Sequence, residues 1–191
     1  MKEQQMDRRV RKTRAQLRSG LAKLMLQKSL KEITVKELTD LVDINRGTFY
    51  LHYRDIYDLA EQIESDIMDE FHALLESSSE KELLETPFPL FARIYSYLAE
   101  NADLCAVFLG KNGDIAFVEK LKNLVRDKCV RTWEKKYAHI APSQFEYFSA
   151  FVISGHIGLL QTWLDNGLKE SPEDLAALAE GMILHGMEIF K

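Results

Sequence analysis

Residues 34–53, TVKELTDLVDINRGTFYLHY, read as two short helices around a tight turn. Val35, Leu38 and the pair Leu41/Val42 recur at three- and four-residue steps, and Ile44, Phe49 and Tyr53 resume that rhythm after a break, as one small shared core requires. Thr34 is placed to cap the first helix, and Glu37, three residues on, completes a capping-box pattern. Residues 43–45 make the turn, with Asn45 as N-cap of a second helix over about 46–52. The outward positions of that helix, Arg46, Thr48, Tyr50 and His52, are polar or hydrogen-bonding, a face that suits a DNA groove. Phe49 and Tyr53, four apart, fall on the inner side.

Net charge supports this once the chain is divided. The whole chain carries −5, but residues 1–54 hold 13 Lys and Arg against 6 Asp and Glu, a balance of +7 that leaves −12 for residues 55–191. A basic head on an acidic body orients a molecule near DNA and keeps the body off it. Arg8, Arg9, Arg11, Lys12 and Arg14 crowd the start of a helix whose apolar side is Val10, Leu17, Leu21 and Leu24. The helix dipole alone favours acids there, and phosphate neutralisation supplies another reason for the cations.

The run ITVKELTDLVDINRGTFYLHYRDIYDL resembles the helix-turn-helix of TetR-type transcriptional regulators, most closely over Arg46-Gly47-Thr48-Phe49-Tyr50 and His52-Tyr53. It departs from the family where the usual turn Gly is Asp43 and where the usual Lys of the next helix is Ile56. Asp tolerates a left-handed backbone better than most residues, whereas Ile cannot replace a phosphate-binding ammonium. A helix-turn-helix inserts its second helix into the major groove while surrounding donors hold phosphates. Asn45, Arg46, Thr48 and Leu51 are accordingly expected near base edges, the Arg suiting guanine and the Leu or Thr methyl suiting thymine. Gly47 allows close backbone approach. The resemblance implies phosphate contacts for Tyr50 and His52, with Thr34 and Lys36 beside the backbone and Arg9, Arg11 and Lys12 in the basic lead-in.

Beyond the head, Ile56, Leu59, Ile63, Ile67, Phe71 and Leu74 form the stripe of a long connecting helix. Residues 77–80 and the Pro87-Phe88-Pro89 stretch read as a loop region, and residues 1–7 as a disordered start. Helices follow over about 88–99, 104–109 and from 114 toward Trp133, separated by a turn at 111–113. The stretch 143–165 is apolar on more than one face: Phe145, Phe148, Val152, Leu159 and Trp163 make one stripe, while Tyr147, Phe151 and Ile153 lie elsewhere. Asn166-Gly167 ends it. Residues 171–174, Ser-Pro-Glu-Asp, open a last helix whose face is Leu175, Leu178, Met182, Gly186 and Ile189. The expected fold is all-α with about nine helices: a three-helix head at 1–54 and a ligand-binding and dimerisation body at 55–191. The resemblance implies a homodimer through the last two helices, about 143–165 and 172–190, helped by Gly155, Gly158, Gly181 and Gly186.

Enzyme signatures are missing. The histidines show no HExxH or closely spaced ligand pattern, no metal site is expected, and Cys105 and Cys129 stand far apart without a CxxC. No signal-like segment or membrane-spanning run is present, so a reducing cytoplasm is expected. No cofactor is implied, and Tyr95, Phe108, Trp133, His156 and Gln161 are candidate linings for a pocket that takes a small-molecule effector. The expected function is a ligand-released repressor acting as a homodimer on a palindromic double-stranded DNA operator. The alternative is a coregulator of the same fold that acts mainly through a protein partner.

Overall fold

A computed structural model describes residues 2–110, 113–136 and 138–186. Among the described residues there is no strand, and the all-α expectation holds. The chain divides into two compact units, Met1–Ile67 and Met68–Lys191.

The first unit holds α1 (Lys2–Met25), a short 3-10 turn at Leu30–Glu32, α2 (Val35–Leu41), α3 (Arg46–Tyr50) and the first part of α4 (Ile56–Glu76). α1 begins at Lys2, earlier than the start at Arg8 that the apolar pattern marks. Leu17, Leu21, Leu38, Phe49, Leu59 and Ile63 are buried together as the core of this unit. Gly20 lets α1 lie close to α2, since a Cβ there would stand 2.3 Å from Val42 Cγ1 and 2.9 Å from Leu38 Cδ1. An ion pair between Arg18 and Asp66 ties α1 to α4.

The second unit begins within α4 and continues with α5 (Glu80–Glu85), α6 (Phe88–Glu100), α7 (Ala102–Leu109) and α8 (Ile115–Val125). α8 runs through a π turn (Arg126–Val130) into α9 (Arg131–Lys136), and α10 (Pro142–Asp165) and α11 (Pro172–Gly186) follow. α6 packs on α11, α10 on α7, and α5 on α9. Trp133, Phe145, Phe148, Ile153 and Ile183 form one core cluster and Leu75, Leu83 and Leu90 another.

Several faces differ from the sequence reading. α5 occupies what reads as a loop: Ser79 Oγ accepts from Glu82 N at 3.2 Å while the Glu82 carboxylate accepts from Ser79 N at 2.9 Å. The last inward residue of α4 is Leu75, with Leu74 only half-buried. On α10 the buried line is Phe145, Phe148, Ile153, Ile157, Leu160, Trp163 and Leu164, so Trp163 is inward as expected, Ile153 also faces inward and Leu159 is half-exposed. On α11 the inner line is Leu175, Ala176, Ala179 and Ile183, while Leu178 and Met182 face outward. Both faces turned because each helix carries more apolar positions than one stripe needs, which leaves periodicity unable to choose among them. Ile115, which the apolar rhythm of the helix from 114 would turn inward, is likewise exposed. Lys111 and Asn112 of the expected turn, the side chain of Cys129, and Ile189 lie outside the described residues.

Candidate nucleic-acid interface and buried cavity

The head's reading surface is fixed by local caps. Thr34 is extended (φ −108°, ψ 152°) and its Oγ1 accepts from Glu37 N at 3.2 Å. The reciprocal half of the capping box is replaced by an ion pair, the Glu37 carboxylate taking Lys28 Nζ at 2.6 Å. Thr39 Oγ1 donates back to Val35 O at 2.8 Å, and Ile44 N closes the turn onto Thr39 O at 3.0 Å. Asp43 carries the strain of that turn at φ 53°, the left-handed conformation that Asp tolerates better than most residues. Asn45 Oδ1 then accepts from Gly47 N at 2.7 Å and starts α3.

α3 is shorter than its sequence pattern suggests. The ordinary helix ends at Tyr50, and His52 N bonds to Phe49 O at 2.9 Å in a tighter last turn. Phe49 is fully buried and Tyr53 nearly so, with ring centroids 5.8 Å apart, so the inner side is aromatic. Burial is also the main cause that pushes the Tyr53 hydroxyl's pKa above its ordinary value. Arg46, Gly47, Tyr50 and Leu51 are exposed, Leu51 at 80%, and Thr48 and His52 are half-buried beside them. Thr34, Lys36, Asn45, Arg9, Arg11 and Lys12 are exposed as well. The same unit thus presents the twelve residues that the sequence proposes for DNA, with Asn45 committing its amide oxygen to the cap and keeping its NH2 for other partners.

Of two neighbouring positions, Ile56 and Arg54, only Arg54 was not singled out in the sequence. Ile56 is buried, so the position where the resemblance expects a lysine serves the core. Arg54 stands exposed two residues earlier and forks onto Asp58 Oδ1 (Nε 3.2 Å, NH2 2.7 Å). That hydrogen bond holds the Asp58 carboxyl below its usual range. An Arg preceding the stripe of α4 was the available signal.

The second unit holds a cavity of about 80 Å³ between α4, α5, α6, α8, α9 and α10. Its walls are almost wholly apolar, and among the described lining residues there is no Lys, Arg, Asp or Glu. Three of the five sequence candidates line it: Tyr95 from α6, Trp133 from α9 and His156 from α10. Phe108 is instead buried against Phe117, 5.4 Å between centroids, and Gln161 is half-exposed on α10; neither is among the lining residues.

The three polar candidates differ in how they are satisfied. Trp133 Nε1 donates to Leu83 O at 2.8 Å. Tyr95 OH and His156 Nε2 are buried without a hydrogen-bond partner. The Tyr95 ring lies edge-on to Trp163 at 5.7 Å, and the His156 ring lies 4.7 Å from Phe91. Burial raises the Tyr95 pKa and lowers that of His156 to about 4, the second opposed by a hydrogen bond to the Val152 backbone. His156 is therefore a neutral imidazole at pH 7. Cys105 is also buried, its pKa pushed up to about 12, which leaves it an unreactive thiol.

Comparison with known proteins places this arrangement. Residues 85–185 match the family model TetR_C_8, described as a transcriptional regulator C-terminal region. No curated protein matches the chain in sequence. Among solved structures, a TetR transcriptional regulator from Streptococcus agalactiae 2603V is 22% identical and superposes with a TM-score of 0.60 over 95% of this chain and 98% of that one. The dihydroxyacetone kinase operon activator DhaS is 18% identical, with a TM-score of 0.63 over 93% and 97%. The regulator FadR from Bacillus subtilis, solved in complex with stearoyl-CoA, is 13% identical, with a TM-score of 0.60 over 90% and 98%.

Proposed function

The chain belongs to the TetR family of transcriptional regulators, and from that premise we propose that it is a ligand-released repressor which binds a palindromic operator as a homodimer. Regulators of this family are DNA-binding proteins rather than enzymes, and they act as dimers. The observation that carries the reading is the row of exposed Arg46, Tyr50 and Leu51 with half-buried Thr48 and His52, on α3 and the turn after it, anchored from behind by buried Phe49 and Tyr53. Such a row offers base-edge contacts from Asn45, Arg46, Thr48 and Leu51, and backbone contacts from Tyr50, His52, Thr34 and Lys36. Arg9, Arg11 and Lys12 add phosphate neutralisation. In this reading residues 1–54 are the DNA-binding domain and 55–191 the ligand-binding and dimerisation domain, in the cytoplasm. Among the described residues no helix is long and apolar enough to cross a membrane.

Dimerisation is assigned to the outer faces of α10 and α11. Tyr147 and Phe151 are 77% and 76% exposed, Leu178 and Met182 are exposed in the same unit, and the space next to Gly155 and Gly158 is open. Apolar side chains in such positions find cover in a second copy. The effector is assigned to the cavity of the second unit. Release requires that it bind the DNA-incompetent arrangement more tightly, and a roughly 100-fold preference gives about 2.7 kcal/mol of coupling per site.

The test is a titration of the purified chain against the DNA upstream of its own gene at rising salt. Affinity is expected to fall steeply, by a factor set by the number of phosphates neutralised. No binding at low salt would favour the coregulator alternative, for which Asp43 in the turn and the apolar Ile56 are the motivating features. Transcript levels with and without the gene separate repression from activation, a distinction of substance because one relative of the same fold is named an operon activator.

A further inference from the structure

Two buried polar atoms without partners, in the second unit, belong to side chains that line one apolar cavity, and their chemistry specifies what completes them. Tyr95 is 1% exposed and its hydroxyl is unpartnered, and His156 Nε2 is unpartnered on the opposite helix. The backbone bond from His156 to the Val152 carbonyl uses the other ring nitrogen, so Nδ1 carries the proton. Nε2 is then a bare lone pair that can only accept. A phenolic hydroxyl can donate or accept, so Tyr95 adapts to whichever partner His156 selects.

Resting on the reading of this cavity as the effector site, we propose that the effector is an uncharged, mainly apolar compound bearing a hydroxyl group, which donates to His156 Nε2 and accepts from Tyr95 O–H. A carboxylate or phosphate would present only acceptors to an acceptor, in a cavity whose described lining holds no cation. A plain hydrocarbon would leave both atoms unsatisfied, and a buried polar group without a partner is costly. An ether or ester oxygen meets Tyr95 but not His156. A hydroxyl serves both through a single oxygen, while an apolar body fills the space between Phe91, Trp133 and the aliphatic side chains around them.

Cavity size gives the ligand leverage. About 80 Å³ is well below the ~150 Å³ of an apolar cavity that accepts benzene. A hydroxyl compound of ring size therefore enters only as the walls move apart. It binds the widened arrangement in preference to the one described here, and differential affinity of that kind is what a population shift requires.

The test uses DNA-free full chain and three probes of one size: phenol, anisole and benzoate, with binding read by calorimetry. Phenol is expected to bind at least about tenfold more tightly than anisole, the factor that one hydrogen bond supplies, and benzoate not to bind. His156→Phe and Tyr95→Phe are the variants. Each removes an orphan polar atom, so the unliganded unfolding midpoint should stay equal or rise while the preference for phenol over anisole falls several-fold. Retention of that preference in both variants would overturn the proposal. So would equal binding of phenol and anisole, tighter binding of benzoate, or no binding of phenol at millimolar concentration. Failure of these titrations with intact salt-dependent DNA binding retires the ligand class and leaves the regulator reading in place; loss of DNA binding alone does the reverse.

Discussion

In residues 34–53 the polar side chains are mostly exposed or closed by a partner a few residues away, whereas in the second unit buried Tyr95 and half-buried His156 each hold one buried polar atom without a partner. Thr34 caps Glu37 and Asn45 caps Gly47, so the reading helix is set by its own neighbours. In the body even a satisfied group reaches far: Trp133 finds Leu83, fifty residues away. A surface meant for a fixed partner such as the duplex gains from being fully satisfied and stiff. A cavity meant for an occasional ligand keeps unmet hydrogen-bonding capacity, at a cost in unliganded stability that the ligand later removes.

The sharpest way to break this contrast is Phe49→Ala. The head's stiffness rests on that fully buried ring, and its loss should destabilise the first unit by about 3–5 kcal/mol. Chemical denaturation followed by circular dichroism reads the change, and a loss below about 1 kcal/mol would take Phe49 out of the core. Next is acid. His156 is neutral in the fold with its pKa lowered to about 4 from 6.5, so the unfolded chain binds the extra proton between those values. Stability is full above pH 6.5 and falls as pH drops toward 4, by at most about 3 kcal/mol. His156→Phe should flatten that slope in unfolding curves taken across the window, and an unchanged slope would assign the acid sensitivity to other groups.

Arg46→Ala should cost about 1–3 kcal/mol of operator affinity and relax discrimination at one base position. Titration against single-base operator variants checks it; a uniform loss across all variants would move Arg46 to the phosphates. Smallest is Asp43→Gly, where relief of the left-handed backbone at φ 53° is offset by added freedom in the unfolded chain. Stability should change by less than about 0.5 kcal/mol in thermal unfolding, while operator affinity rises because an acid leaves the turn.

How much of this was legible follows the same division. The head could be read because caps, turn and core repeat within a few residues, down to the left-handed tolerance needed at Asp43. Exceptions are the start of α1, the early end of α3, and Glu37, whose carboxylate prefers Lys28 in space to the backbone beside it. In the body, helices were legible but their facing was not. α10 carries apolar residues all round, so only tertiary packing decides that Ile153 turns inward and Phe151 outward. The cavity gathers side chains from six helices, and polar or aromatic character alone could not separate Tyr95 and His156, which line it, from Phe108 and Gln161, which lie elsewhere. α5 was missed although Ser79 and Glu82 spell a capping box, because its six residues carry too short an apolar pattern.

The most direct test of the central claim is a hydroxyl-radical footprint of the purified chain on its upstream DNA, run beside Arg46→Ala. The account predicts two symmetry-related protected half-sites, with a base preference in each that Arg46→Ala relaxes while the protection remains. Protection of a single unsymmetrical patch, or the same base preference with Arg46 removed, would contradict it.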